Sequence, residues 1–362
     1  MNNRPKIKIV LTGGGTAGHV MPHLPLISLM QEKDWEVYYI GSDGFEKDVI
    51  KGLGVDFFSI RTGKWRRYAS FQNYLDLFNV LIGFFQSIYF LSIIKPHVVF
   101  SKGGFVSLPV AIAAWFLRIP VATHESDMTP GLANKVIARV AKRIMYSFPE
   151  TKNYIPAHKA ELTGIPIRRN LLDGDKNRAL TLCGFSSEDS RPIVLIMGGS
   201  QGSNIINEFV EQACKHLILK YRVMHLTGKG KKLNLNSPGS YWQKEYVNLQ
   251  LKDLLKAADV VVSRAGANSL FELLTLRKKM LLVPLSKGTR GDQILNARSF
   301  SNQGWASVVL EKDLSIKSFM ETLDALVLED FPKKRDLLFI ESFLKKDSSD
   351  EMVKLLQELA TV

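Results

Sequence analysis

Cysteine is almost absent: Cys183 and Cys214 are the only two, far apart and without CxxC spacing. That excludes a disulfide framework, a cysteine zinc site and a redox dithiol, and it fits a reducing cytosol. No Gly-Lys-Ser/Thr phosphate loop occurs, which excludes P-loop ATP hydrolysis. The opening run Arg4-Pro5-Lys6-Ile7-Lys8-Ile9-Val10-Leu11-Thr12-Gly13 has basic residues, but its apolar stretch stops at glycine. It reads as a first β-strand rather than a secretory leader. Low-complexity tracts are missing as well, and 362 residues suffice for about two domains with cores of their own.

Acidic residues are the scarcer charge, 35 against 48 Lys and Arg, for a net charge of +13. Such an excess raises nucleic acid, an anionic membrane or a phosphorylated ligand as partners, and its placement discriminates among them. Between Phe57 and Arg143 stand eleven basic residues and three acids, so most of the excess lies in one window. Within it, Leu75 to Ile94 is mostly apolar but carries Asp76, Asn79, Gly83 and Gln86-Ser87 at helical spacing, which argues against a lipid-surrounded span. The segment reads either as a long helix covering a sheet or, with Arg61, Lys64, Trp65, Arg66, Arg67 and Trp115-Phe116-Leu117-Arg118, as an interfacial patch on anionic lipid. The second reading favours a membrane over nucleic acid.

A strand running into glycines occurs twice, Ile7–Leu11 before Gly13-Gly14-Gly15-Thr16-Ala17-Gly18 and Ile193–Met197 before Gly198-Gly199-Ser200-Gln201-Gly202. The two copies are about half a chain apart, and each precedes a helical pattern. Further short apolar runs, Glu36–Ile40, Val98–Ser101, Val121–His124, Arg143–Tyr146, Val223–Leu226, Val260–Ser263 and Met280–Val283, read as parallel strands buried on both faces. The fold class is α/β, with two tandem Rossmann-like domains and a ligand cleft between them. The expected boundaries are 1–163 and 164–340, with 341–362 as a C-terminal helix that can return to the first domain.

Gly13-x-Gly15-x-x-Gly18 spells a dinucleotide fingerprint, and Lys102-Gly103-Gly104 and the Gly198 loop follow strands in the same way. Small residues let backbone N–H groups approach an anion there. Three such loops suit two phosphorylated substrates better than one nucleotide. His19 is placed to act as a general base, or it binds phosphate or serves structure. His124-Glu125 ends another strand and is either catalytic or a loop pair that positions neighbours. Glu272 lies about one turn into the helix after Ser263-Arg264-Ala265-Gly266-Ala267, able to accept from ribose hydroxyls or to stabilise the helix dipole. Gln293 and Asn296 share a helix face and suit sugar hydroxyls. Arg168 could pair with a nucleotide phosphate or salt-bridge the domains. Asp173-Gly174-Asp175 spells a DxD metal motif but sits in a polar linker, and no other cluster has metal-ligand spacing.

Together, Gly14–His19, Ser101–Gly104, His124-Glu125 through Pro130-Gly131 to Asn134-Lys135, Thr163–Arg168, Gly198–Gly202, Ser263–Ala267 with Glu272, and Asp292–Ala297 resemble the MurG family of bacterial N-acetylglucosaminyltransferases. The resemblance covers residues about 7 to 310. It implies a GT-B fold and an inverting, metal-independent transfer of N-acetylglucosamine (GlcNAc) from UDP-GlcNAc to undecaprenyl-diphospho-muramoylpentapeptide (lipid I), in peptidoglycan synthesis. No cofactor and no nucleic acid enter that reading, and the protein would sit peripherally on the cytoplasmic, anionic inner leaflet of the membrane. His19 matches the family's candidate base. Donor contacts would come from Thr16, Ala17, Gly18, Arg168, Ser200, Val247, Arg264, Ala267, Glu272 and Gln293. The acceptor diphosphate would meet Gly14, Gly15, Gly103, Gly104 and Asn134, while Glu125, Asp127 and Asn296 are further candidate site positions with no substrate assigned. Three positions depart from the family pattern: Ala17 where glycine is frequent, Asp127 in place of asparagine, and Asp292 where some members have a second glutamine. Two other readings are a glycolipid synthase using diacylglycerol, and an NAD-dependent dehydrogenase with Asp43 near the end of its second strand.

Overall fold

The computed structural model describes residues 6–63, 71–199, 201–235, 239–286, 291–329 and 347–361. The chain forms two compact units, one of Met1–Ile167 with Lys345–Val362 and one of Arg168–Leu344. The sequence boundary at 164 therefore moves by four residues, and Gly164 to Ile167 stand with the first unit.

In the first unit, β1 (Lys8–Thr12), β2 (Glu36–Gly41), β3 (Asp56–Ser59), β4 (Val98–Ser101), β5 (Val121–Glu125), β6 (Arg143–Tyr146) and β7 (Ala160–Leu162) make a parallel sheet. Its order is β3-β2-β1-β4-β5-β6-β7. Helices α1 (Ala17–Val20), α2 (His23–Glu32), α3 (Phe45–Lys51), α4 (Phe71–Ile94), α5 (Ser107–Phe116) and α6 (Leu132–Val140) connect the strands. Both faces of the sheet are covered, which is why β1 reads as a continuous apolar run: Ile9 and Leu11 enter one core with α2, while Val10 enters the other with α4, α5 and α6. The helix after the first glycine loop is a single turn, α1, ended at Met21-Pro22 before α2 begins.

The second unit repeats the plan. Strands β8 (Ile193–Met197), β9 (Arg222–Leu226), β10 (Tyr241–Lys244), β11 (Val260–Ser263), β12 (Lys279–Leu282) and β13 (Ser307–Val308) form a parallel sheet in the order β10-β9-β8-β11-β12-β13. Helices α7 (Lys176–Cys183), α8 (Asn204–Lys220), α9 (Leu251–Ala257), α10 (Ala267–Thr275), α11 (Asp292–Asn302) and α12 (Ile316–Leu328) belong to it. The final helix α13 (Ser348–Ala360) packs in the first unit, placing Met352, Val353, Leu355 and Leu356 in the core beside Leu26 and Met30.

The part of the α4 polar stripe at Gly83, Gln86 and Ser87 faces inward. Gln86 Oε1 accepts the Arg61 N–H at 2.7 Å, and buried Ser87 donates to the Gly83 carbonyl at 2.6 Å. The outward face is apolar instead, with Phe78, Leu81, Phe85, Tyr89 and Ile93 exposed. On α5, Trp115 and Phe116 continue this surface, and Phe84 touches both Phe85 and Phe116 edge-on. Among the described residues, no helix is long and apolar enough to cross a membrane. The basic run at Lys64–Arg67 and the side chain of Asp76 lie outside the described residues.

Candidate active site

The register of the first sheet sets Thr12, Ser101 and Thr123 side by side on β1, β4 and β5. Their following loops therefore emerge together at the carboxyl edge, where open α/β sheets hold ligands. Gly104 takes φ +81°, and a Cβ there would stand 2.9 Å from both the Gly14 carbonyl and His19 Nδ1. Only glycine lets the second loop press so closely on the first. His19 lies on the α1 turn, partly exposed, with Nδ1 2.9 Å from Thr16 Oγ1. Gly15, Thr16 and Gly18 are exposed around it.

Beneath these loops lies a buried polar layer. Lys102 is 1% exposed, and its Nζ donates to His124 Nδ1 at 2.5 Å and to Ser126 Oγ at 2.7 Å. His124 Nε2 lies 2.7 Å from the Gly164 carbonyl, which can only accept, so Nε2 carries the hydrogen and Nδ1 is the acceptor. Burial, with the Lys102 charge beside it, holds His124 well below the usual imidazole range, so it stays neutral. Burial also brings Lys102 down to about 7, against the pull of Glu125 and Asp127. His23, also fully buried, meets the Tyr39 hydroxyl through Nδ1, and Tyr39 donates to the Gly13 carbonyl at 2.7 Å.

Glu125 and Asn134 belong to this supporting layer. The Glu125 carboxylate accepts from the Asp127 N–H, the Gly131 N–H and Asn134 Nδ2 at 2.8 to 3.0 Å. Burial and the neighbouring Asp127 push its pKa up to about 7, while those three donors favour the charged form. Asn134 is 6% exposed, donates also to the His124 carbonyl and accepts from Thr123 Oγ1. A Cβ on Gly103 would strike its amide. Asn134, expected to meet the acceptor diphosphate, thus props the Gly103 turn from below.

In the second unit the Gly198 loop and the turn after β9 touch backbone to backbone. A Cβ on Gly202, at φ +69°, would strike the Thr227 carbonyl. Asn207 Nδ2 donates to that same carbonyl at 2.9 Å, and His225 joins Asn207 to Tyr241 below it. Ser203 caps α8, accepting from the Ile206 N–H. Ser200 lies outside the described residues.

Arg168 donates to Glu272 Oε1 from Nη2 at 3.2 Å and from Nε at 3.4 Å. Burial pushes the Glu272 carboxyl up, and Arg168 opposes it. Arg264, expected to contact the donor, already has protein partners. Its guanidinium is buried and binds Ser203 Oγ at 2.6 Å, the Val283 carbonyl at 2.9 Å and Glu311 at 2.6 Å, so it ties the β11 loop to its neighbours. Asn296, 0% exposed, likewise donates to the Ala265 carbonyl beneath that loop. Gln293 Oε1 accepts the Leu285 N–H at 3.0 Å at the start of α11. Ala267 and Val247 are buried at the same carboxyl edge, at the α10 start and after β10.

Asp43, the acid that a dinucleotide enzyme would aim at a ribose, instead accepts from Lys47 and Ser59 at 2.6 Å each. Asp175 of the DxD sequence caps α7 and accepts from the Arg178 N–H. Among the described residues no group of three or more His, Cys, Asp or Glu has metal-holding geometry.

The N-terminal domain of glycosyltransferase family 28 matches residues 9–146, and the C-terminal domain of the same family matches residues 193–346. A Clostridium botulinum (strain Langeland) protein is 49% identical over 88% of this chain and 90% of its own. Its name is UDP-N-acetylglucosamine--N-acetylmuramyl-(pentapeptide) pyrophosphoryl-undecaprenol N-acetylglucosamine transferase. A Lachnospira eligens protein of the same name is 46% identical over 97% of this chain and 99% of its own. The crystal structure of Acinetobacter baumannii MurG superposes with a TM-score of 0.73 at 24% identity, covering 98% of this chain and all of that one, which shows the shared GT-B fold. Paired glycosyltransferase family 28 domains and close relatives along nearly the whole length place the chain in the MurG family of N-acetylglucosaminyltransferases.

Proposed function

We propose that this protein transfers N-acetylglucosamine from UDP-GlcNAc to undecaprenyl-diphospho-muramoylpentapeptide, with the donor held on the second unit and the acceptor's diphosphate on the glycine loops of the first. The carrying observation is near-50% identity, over about nine-tenths of both chains, to relatives named for that reaction. The loop geometry supports the division of labour. In the first unit two glycine turns meet at His19, and in the second Glu272 stands on α10 with Arg168 beside it.

His19 serves as the base that deprotonates the acceptor hydroxyl. For its Nε2 to accept a proton, the Nδ1 hydrogen must point to Thr16, a hydrogen bond that the 2.9 Å separation supplies. In the donor site Glu272 accepts from the ribose hydroxyls, and Arg168, released from Glu272, meets the departing diphosphate. Arg264, Asn134, Glu125 and Asn296 act one layer back, holding loops in place. No cofactor takes part in this reading.

The α4–α5 surface would rest on the anionic inner leaflet, its exposed aromatic and aliphatic side chains entering the headgroup boundary. This arrangement supports peripheral attachment on the cytoplasmic face, where a lipid-linked acceptor is reached from the side.

The test is transfer of labelled GlcNAc from UDP-GlcNAc to a short-chain lipid I analogue, with the product linkage read by NMR. A β-1,4-linked disaccharide is expected. Transfer to diacylglycerol in preference to the lipid I analogue would overturn the assignment.

A further inference from the structure

Lys102 presents a chemistry that the transfer reaction leaves unused: a primary amine sealed under both loops of the first unit. Its Nζ touches His124 and Ser126, and among the described residues no carboxylate is in hydrogen-bond contact with it. The charged and titratable groups facing it are His124 and Glu125 on β5, Asp127 on the loop beyond, and His23 on α2, behind Gly13. Both histidines are held neutral by burial, and the Lys102 charge disfavours protonating either. Its backbone N–H is fixed to the Thr12 carbonyl at 2.9 Å, so the chain leaves β4 in register with the first glycine loop. Gly103 and Gly104 follow at once, and Gly104 abuts His19.

We propose that Lys102 is a positioning residue for the acceptor: its buried ammonium, braced by His124 and Ser126, sets the conformation of both glycine loops and supplies the positive field under the place where the acceptor's diphosphate binds. This inference rests on the proposed placement of that diphosphate. A charge in a low-dielectric site acts more strongly on a nearby anion than a surface lysine does. The bond from His124 to Gly164 extends the brace to the segment that leaves the first unit. An anion above the loops stabilises the protonated amine in return, so acceptor binding takes up a proton wherever Lys102 is partly neutral beforehand. With its pKa near 7, that range lies at and above neutrality.

The experiment is steady-state kinetics of Lys102→Met with a water-soluble short-chain lipid I analogue, alongside UDP-GlcNAc titration. The expected result is a rise of 10-fold or more in the acceptor KM, with the UDP-GlcNAc Kd within twofold of wild type. The wild-type acceptor KM should rise from pH 6.5 to 8.5, and the variant's should stay flat. If Lys102→Met does not fold, His124→Asn, whose amide oxygen can still accept from Nζ, should keep the wild-type pH profile. An acceptor KM unchanged in Lys102→Met, or flat with pH in the wild type, would overturn the proposal. Gly104→Ala separates the two readings. If it raises the acceptor KM while Lys102→Met does not, only the role of Lys102 falls; if it leaves the acceptor KM untouched, the loop placement and the Lys102 role fall together.

Discussion

Arg168 and Glu272 are 104 positions apart in the chain, yet the Arg168 guanidinium donates twice to one Glu272 carboxylate oxygen. In the proposed reaction each side chain takes a separate task once donor arrives, so the ligand-free pair would keep two opposite charges stored against each other. Both are about a quarter exposed, which lets them part at modest cost.

If Glu272 holds the ribose as proposed, replacing it by Gln removes the charged acceptor for the ribose hydroxyls. Hydrogen bonds to charged groups contribute about 1.5–3 kcal/mol, so the UDP-GlcNAc Kd should rise roughly 10- to 100-fold. Isothermal titration checks this, and the acceptor KM should be unaffected. An unchanged donor Kd would remove Glu272 from the donor site.

His19→Ala should lower kcat by roughly 10²–10⁴, the usual contribution of a general base, while UDP-GlcNAc still binds. Thr16→Val, which deletes the partner of Nδ1, should lower kcat less, because the imidazole itself remains. A His19→Ala enzyme turning over at the wild-type rate would remove the base assignment.

The proposed membrane role of the exposed α4–α5 surface predicts how vesicle binding responds to sequence. Phe85 and Trp115 are 66% and 56% exposed, so changing both to Ser should leave folding intact. Each lost aromatic forfeits about 2 kcal/mol of transfer into an apolar phase, and binding to anionic vesicles in a flotation assay should fall at least 100-fold. Activity on a soluble acceptor analogue should persist, and equal flotation of the two proteins would contradict the assignment of this surface.

For Arg264 the expected effect is on stability first. Its removal by Arg264→Leu strands the Glu311 carboxylate, and breaking a buried pair costs about 3–5 kcal/mol, lowering Tm by roughly 10 °C. Burial opposes ionisation of Glu311, but hydrogen bonds from Ser286 and the Arg264 guanidinium hold its pKa below 4.5. A carboxyl with a depressed folded pKa contributes stability above its unfolded value. That contribution is lost as pH falls through about 4.5 and below, where the unfolded chain binds the extra proton first. Wild type should therefore lose Tm in that range more steeply than Arg264→Leu.

The central strands were legible in the sequence and the edges were not. Val98–Ser101, Arg143–Tyr146, Ile193–Met197 and Val260–Ser263 are apolar because neighbours cover both faces. The strands that no apolar run announces are Asp56–Ser59, Ala160–Leu162, Tyr241–Lys244 and Ser307–Val308, and each lies at the rim of its sheet. A rim strand has one neighbour and partial exposure, so its sequence carries mixed polarity and little pattern. The glycine loops were equally readable, because at Gly104 and Gly202 the backbone leaves no room for a side chain. The buried protein partners of Asn134, Asn296 and Arg264 were not, since a polar side chain beside a glycine loop reads the same whether it faces a ligand or a buried carbonyl. For Lys102 the cue was its place directly after a fully buried strand, which leaves the direction of its side chain open.

The packing of α13 into the first core has a consequence for biosynthesis. As the chain leaves the ribosome, every strand of the second sheet is complete before Met352, Val353, Leu355 and Leu356 appear. Until then the first sheet has an unfilled seat beside Leu26 and Met30. The half begun first is the half finished last, and a nascent or truncated chain short of its final helix offers that uncovered apolar seat to other proteins in the cell.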